Sequence, residues 1–449
     1  MSTDFELTIH RQSDILSFVI FSFTMRKRKA SLDLDDEKVG DPGRQHTLTT
    51  KQQYIIDEIT MGQTVFITGP AGVGKSFMVH EIQKLFGAAI ITTALTGIAA
   101  CNIDGRTIHS VFGIHKDTDT IDVKKIAPKF DNVEMILVDE CSMASVVLIE
   151  NISTALKKIK RSSKDFGGIQ MIFVGDFLQL PCLTKEETPL YESSIWRKNI
   201  PLSNVHYLTE PMRQRNASDF RVLCKLRKGI VDEEVCRGLR AASENKEPQE
   251  FDKKLYYLNQ SVRRENKVYL NSLQSPTIYL KTTVGQVKGY NNVSKVDEYR
   301  KNYPDIPMKV GARVRLNVNY NPSYELVNGT EGIFEGLIDD FFPEVFFPKL
   351  NLSTRITPWT HWFEKKRIWV VYFPLQVSHA STIHKAQGQT YDSCYVDLSK
   401  SSEYGMVYVA LSRVRSLSKL RITPPITEIK PVVDPKALAY YQKIETLTS

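Results

Sequence analysis

One eight-residue string constrains this chain more than any other. Gly69-Pro-Ala-Gly-Val-Gly-Lys-Ser76 fits the pattern G-x-x-x-x-G-K-[ST], directly after an apolar run, Val65-Phe66-Ile67, and before a helical stretch from Phe77 to Leu85. Glycines at this spacing let successive backbone N–H groups curl around phosphate oxygens at the positive end of a helix. Gly69, Pro70, Ala71, Gly72, Val73 and Gly74 are therefore expected to cradle a nucleotide phosphate. Lys75 is expected to reach the β and γ phosphates of ATP, and Ser76 to offer its hydroxyl to Mg²⁺.

A loop of this kind needs a strand on one side and a helix on the other, which dictates an α/β fold. Three further apolar runs agree: Ala89-Ile90-Ile91, Met135-Ile136-Leu137-Val138 and Met171-Ile172-Phe173-Val174. Each ends in a polar or Gly-containing turn, the signature of parallel strands buried on both faces. The run at Met135 delivers Asp139 and Glu140 at its C-terminal end, where open α/β sheets put ligands. Asp139 is expected to hold Mg²⁺ through its water shell, and Glu140 to polarise the attacking water. Gly175-Asp-Phe-Leu-Gln179-Leu-Pro181 follows the last run and suits a polar sensor, Gln179, beside the γ phosphate.

The chain has 449 residues, more than one hydrophobic core usually serves. The strand pattern returns near Lys254–Leu258 and from Trp369 to Leu398. Between these returns, Lys309 to about Lys366 is rich in Gly, Asn, Pro and aromatics, with an alternating strand at Ala312–Leu316. That texture predicts a small β-barrel inserted in a second α/β domain, and Asn328-Gly329 is a hairpin signal. Trp359, Trp362 and Trp369 suit either base stacking or a core. The expected layout is a disordered leader over 1–46, then a first ATPase domain over 47–204 with a small insertion near 112–131. The second domain takes 205–308 and 367–425, the inserted module 309–366, and a tail 426–449.

A net charge of +8 and a pI near 8.9 favour a polyanionic partner. The six cysteines lack C-x-x-C pairs and zinc spacing, as expected of reduced thiols in an intracellular protein. Ile15 to Phe23 is too short to span a bilayer, and Asp4, Glu6 and Asp14 spoil a transit-peptide pattern, so no membrane partner is expected. Arg26-Lys-Arg-Lys29 reads as a nuclear address or as a solvated run.

Three segments of the second half occur in a telling order: Leu208-Thr-Glu-Pro-Met-Arg213-Gln214, His384-Lys-Ala-Gln-Gly-Gln-Thr390 and Val409-Ala-Leu-Ser-Arg413. With Gly175–Pro181 they resemble motifs III to VI of superfamily 1B helicases. Leu95–Ala100 through Thr107–Ser110 resembles motif Ia and its extension, and Leu48-Thr-Thr-Lys-Gln52 is similar to the Q motif. Glu140–Met143 through Phe166–Gln170 resembles the signature of the petite-integration-frequency (PIF) helicases. The likeness covers residues 48 to about 423. Cys182 stands where the family has a second proline, Cys141 where it has an aliphatic residue, and Phe341–Trp369 matches less clearly.

The resemblance implies two RecA-like domains with ATP in the cleft between them, and an SH3-like β-barrel carrying Lys309–Leu316 and Leu326–Gly332. It implies a monomeric ATP-dependent DNA helicase that moves 5′ to 3′ on single-stranded DNA. Such an enzyme unwinds forked or structured duplexes in replication, repair or recombination, in the nucleus or mitochondrion of a cell or in the host of a virus. Gln52 would read the adenine edge and Gly388 would lie against the nucleotide. Arg213 and Arg413, carried by the second domain, would neutralise γ-phosphate charge, a task suited to a planar, permanently charged fork. Thr96, Gly97, His109, Ser110, Thr382, His384 and Thr390 would touch the DNA backbone through short, sequence-blind contacts. Lys385 would hold a DNA phosphate or serve ATP. Two other readings share these residues: an ATP-gated nucleic-acid binding protein that does not unwind, and an RNA-directed helicase.

Overall fold

The computed structural model describes residues 48–114, 120–182, 188–214, 216–244, 252–286, 293–363 and 367–448. The leader expected over 1–46 and part of the insertion near 112–131 lie outside them. The four apolar runs become strands Val65–Thr68, Ile90–Ala94, Met135–Asp139 and Gln170–Gly175 of one six-stranded sheet. Its spatial order is Arg106–Thr107, Ile90–Ala94, Met135–Asp139, Gln170–Gly175, Val65–Thr68, Val205–Tyr207, and every pairing is parallel. Phe66, Ile136, Val138 and Met171 have no exposed surface, because helices cover both faces of a sheet made this way. The order sets the phosphate-loop strand one strand away from the strand that ends in Asp139.

A second parallel sheet runs Ala380–Thr382, Lys253–Tyr256, Cys394–Asp397, Leu420–Thr423. Its core takes in the helix Ala217–Arg227, started by Asn216 as a side-chain cap, and the helix Met406–Leu411, every residue of which is buried. A five-stranded antiparallel sheet is built from Leu352–Arg355, Phe342–Phe347, Glu331–Ile338, Arg313–Leu316 and Leu375–Val377. The alternating pattern at Ala312–Leu316 thus forms an antiparallel strand, but its partner Leu375–Val377 lies beyond the expected boundary at 366. Trp359–Phe363 and Ile368–Tyr372 join Thr283–Gln286 in a separate three-stranded sheet. Asn328-Gly329 sits in a tight turn, with Thr330 N–H donating to Val327 O at 3.0 Å. The loop between strands Arg313–Leu316 and Glu331–Ile338 is longer than a two-residue hairpin, because it also holds the 3₁₀ turn Pro322–Tyr324.

The segment expected as a tail contains a helix, Pro435–Thr448, and its Ala437, Tyr441 and Ile444 are buried in the core of the first sheet. Tyr441 is hydrogen-bonded through its hydroxyl to Thr68 Oγ1 and receives the Phe177 N–H. Its ring lies 4.4 Å beneath the Arg227 guanidinium. Arg227 donates to both oxygens of Asp176, at 2.9 and 2.8 Å, with 1% and 0% of the two side chains exposed. Burial raises the Asp176 carboxyl, but the Arg227 charge and its hydrogen bonds outweigh that and leave it below its ordinary value. Breaking such a pair strands a buried cation, so Asp176→Ala should lower stability by about 3–5 kcal/mol. Urea unfolding followed by circular dichroism checks this; a loss below about 1 kcal/mol, the value of an exposed pair, would contradict it.

Candidate functional site

The phosphate loop leaves strand Val65–Thr68 and enters helix Lys75–Phe86 through Gly74, which holds a left-handed conformation. Gly72, with φ 86°, admits no side chain: a Cβ there would lie 2.5 Å from Gln214 Oε1 and 2.7 Å from Arg213 Cβ. The close approach lets the Met212 and Arg213 amides both donate to Gly72 O, at 2.7 and 2.9 Å. Lys75 Nζ donates to Gly69 O at 2.7 Å and Pro70 O at 2.9 Å, so the ammonium sits inside the curl of the loop. Burial pulls it below its usual range, opposed by the charges of Asp176, Glu140 and Asp139. Ser76 is exposed at the start of the helix.

Asp139 closes strand Met135–Asp139, is 7% exposed and accepts the Glu140 N–H at 2.8 Å. Burial and the neighbouring Glu140 charge push its carboxyl up to about 7, against the pull of Lys75. Glu140 adopts a left-handed φ of 52°, and its Oε2 accepts from Gln387 Nε2 at 3.0 Å. Gly388 stands beside it, where a Cβ would lie 3.4 Å from Glu140 Oε1. Gln179 is buried next to Asp176, with Oε1 unpartnered among the described residues.

Arg413 is 2% exposed; it donates to Val409 O at 2.7 Å, Ser412 Oγ at 2.6 Å and Gln389 O at 3.4 Å. Burial lowers its guanidinium, and Glu140 is the foremost charge supporting it. Arg213, expected on the second domain, lies on neither parallel sheet. It lies in the segment that crosses from strand Val205–Tyr207 to helix Ala217–Arg227, and reaches the second half by donating to Ser412 O at 3.1 Å. Burial, then the nearby Arg413, pushes Arg213 down to about 10. Sequence reasoning passed over Tyr408, whose hydroxyl receives the Ala71 N–H of the phosphate loop at 2.6 Å. It also left Gln387 without a role. Gln52 is buried in a capping box with Thr49: its Oε1 accepts the Thr49 N–H at 3.0 Å, which aims the amide.

A separate channel of about 1370 Å³ is lined by Thr96, Gly97, His109, Ser110, Thr382, His384 and Lys385, from both parallel sheets and their connections. Thr390 is not on its wall. Asn317, Asn319, Asn328, Arg315 and Trp359 line it from the antiparallel sheets and their loops; Trp359 was a candidate for base stacking, whereas Asn317 and Asn319 had no local sequence signal, because a lone Asn in a loop is common. Trp362 is 46% exposed and is not on the channel wall, while the Trp369 indole lies over Gly285. Among the described residues no helix is long and apolar enough to cross a membrane.

The fold and the site define a P-loop α/β protein with two parallel sheets and a channel between their connections. A family model for PIF1-like helicases matches residues 47–229. The chain is 29% identical over 413 residues to the ATP-dependent DNA helicase PIF1 of Mus musculus, covering 86% of this chain and 61% of that protein. The Danio rerio helicase of the same name is 30% identical over 401 residues, with 84% and 61% covered. The crystal structure of Pif1 helicase from Candida albicans superposes with a TM-score of 0.74 at 27% identity, over 89% of this chain and 99% of that one. The match to the PIF1-like helicase family thus covers residues 47–229, and the likeness to named Pif1 helicases extends over most of the chain. The chain spans about 61% of the length of the vertebrate relatives just described.

Proposed function

We propose that this chain is an ATP-dependent DNA helicase, which moves 5′ to 3′ on single-stranded DNA and unwinds forked or structured duplexes. One juxtaposition carries the reading. Connections of the second sheet meet the nucleotide site on one side, Tyr408 at the Ala71 N–H and Gln387 at Glu140, and line the channel on the other, through Thr382, His384 and Lys385. Strain at one site therefore has a short packed route to the other.

In this reading Lys75 and the loop amides bind the β and γ phosphates, and Gln52 meets the adenine edge with its amide nitrogen. Glu140, with one oxygen fixed by Gln387, orients and accepts a proton from the attacking water. Arg213 and Arg413 neutralise charge growing on the γ phosphate, in a site dry enough for each to count heavily. Gln179 reads the γ phosphate. The residues suit Mg²⁺: Ser76 and Asp139 offer hard oxygens, and Asp139 is a buried carboxylate short of positive neighbours. No group of three His, Cys, Asp or Glu placed to hold a metal ion exists among the described residues; Mg²⁺ commonly takes most of its shell from phosphates and water. Bound there, Mg²⁺ would supply positive charge to the phosphate oxygens.

Thr96, Gly97, His109, Ser110, Thr382, His384 and Lys385 grip the strand by its backbone, which allows stepping without regard to sequence. The first parallel sheet, with strand Val205–Tyr207 and helix Pro435–Thr448, forms one ATPase domain and the second parallel sheet the other, the module around 309–366, joined by Leu375–Val377, serving as an SH3-like side domain; the chain works as a monomer in the nucleus or mitochondrion of a cell, or in a virus's host. ATPase activity with and without single-stranded DNA, followed by unwinding of tailed duplexes, tests the proposal. An ATPase that ignores DNA would defeat it.

A further inference from the structure

The channel holds a group that its proposed ligand makes anomalous. Glu403 lines it beside Thr382, His384 and Lys385, yet a carboxylate facing a polyanion weakens binding by like-charge repulsion. Both of its oxygens are engaged. Oε1 accepts from the Tyr257 hydroxyl at 2.8 Å, and Oε2 lies 2.9 Å from His384 Nε2. A carboxylate can only accept, so the imidazole turns an N–H toward it and its orientation is set. The three residues come from three separate connections: Tyr257 follows strand Lys253–Tyr256, His384 follows Ala380–Thr382, and Glu403 precedes helix Met406–Leu411. Two residues beyond Glu403, Gly405 (φ 70°) packs so tightly that a Cβ would lie 2.5 Å from Gln179 O. The helix it opens carries Tyr408, which holds the Ala71 N–H.

We propose that Glu403 is a positioning residue for strand binding: it holds His384 in the orientation that meets the nucleic-acid backbone and ties it to the segment that touches the phosphate loop. The inference rests on the reading of the channel as the single-strand site. Its worth lies in the sign it predicts. If Glu403 were merely a charge on the wall, removing it would tighten DNA binding. As a positioning residue its loss weakens binding, because His384 is released to other rotamers.

The test is fluorescence anisotropy with a labelled oligothymidylate at fixed salt, for the full chain and the variants Glu403→Ala, His384→Ala, their combination and Tyr257→Phe. Glu403→Ala should raise Kd about tenfold, the low end for a hydrogen bond to a charged group. In the His384→Ala background the same change should add nothing or tighten binding slightly, since only the repulsion remains to be relieved. Tyr257→Phe leaves the carboxylate on His384 and should cost only about twofold, since the bond it removes acts on His384 at second hand. At saturating oligothymidylate the ATPase rate of Glu403→Ala should stay below wild type, because the tie to Gly405–Tyr408 is cut as well. Should Glu403→Ala melt early, Glu403→Leu replaces it: the side chain fills the space but accepts no hydrogen bond, so the loss persists. Tighter or unchanged binding by Glu403→Ala overturns the proposal, as does an equal loss with and without His384. Failure of the wild-type chain to bind oligothymidylate would instead refute the reading of the channel itself.

Discussion

Lys75→Ala should all but abolish ATP turnover in a chain that stays folded. The Lys75 ammonium is held at 2.7 and 2.9 Å by the carbonyls of Gly69 and Pro70, where phosphate oxygens would compete for it. Alanine removes the only cation the phosphate loop itself supplies. Loss of one preorganised charge of this kind costs about 10²–10³-fold in rate, and loss of phosphate affinity adds to it. The fold should tolerate the change, because the bonds lost are to loop carbonyls at the edge of the cleft rather than in the core. Phosphate release at saturating ATP, with circular dichroism as the folding control, decides. Normal turnover by folded protein would remove this loop from the chemistry.

Arg413→Ala should likewise collapse hydrolysis, by on the order of 10³-fold, since arginine fingers contribute that much or more. Its effect should differ in kind from that of Lys75→Ala. The phosphate loop belongs to the first sheet and Arg413 to the segment after helix Met406–Leu411, so ATP binding should largely survive while turnover does not. Arg413 bonds to Val409 O, Ser412 Oγ and Gln389 O, which positions the guanidinium without spending it on a carboxylate. Arg413→Lys keeps the charge but loses the fork, so it should stay well below wild type. Fluorescent nucleotide binding and ATPase rates, measured on the same preparations, separate the outcomes. Weak binding with a proportionate rate would mark Arg413 as a structural residue of the cleft.

The parts of this molecule that were legible in its sequence are those written locally. Val65–Ile67 and Met135–Val138 are short, wholly apolar runs because helices bury both faces of their sheet, and the loop and acid pair follow them almost at once. What was illegible depends on pairing across long separations. Leu375–Val377 reads as part of the second α/β domain until Arg313–Leu316 pairs with it. Tyr441 looks like one tyrosine of a tail, and only the packed structure sets it against Arg227 and Thr68. Arg213 was recognisable by its motif, but not by its place on the crossing segment, which depends on where the first sheet ends. Tyr408, Glu403 and Gln387 owe their partners to contacts between distant connections, which no spacing rule encodes.

The most direct test of an ATP-driven motor is strand displacement on three matched duplexes, bearing a 5′ single-stranded tail, a 3′ tail or none, each with and without ATP. The account predicts ATP-dependent release of the displaced strand from the 5′-tailed duplex, with little from the others and none in Lys75→Ala. Release that favours the 3′ tail would contradict the proposed direction. DNA-stimulated ATPase with no release from any duplex would contradict the motor itself and leave an ATP-gated binding protein.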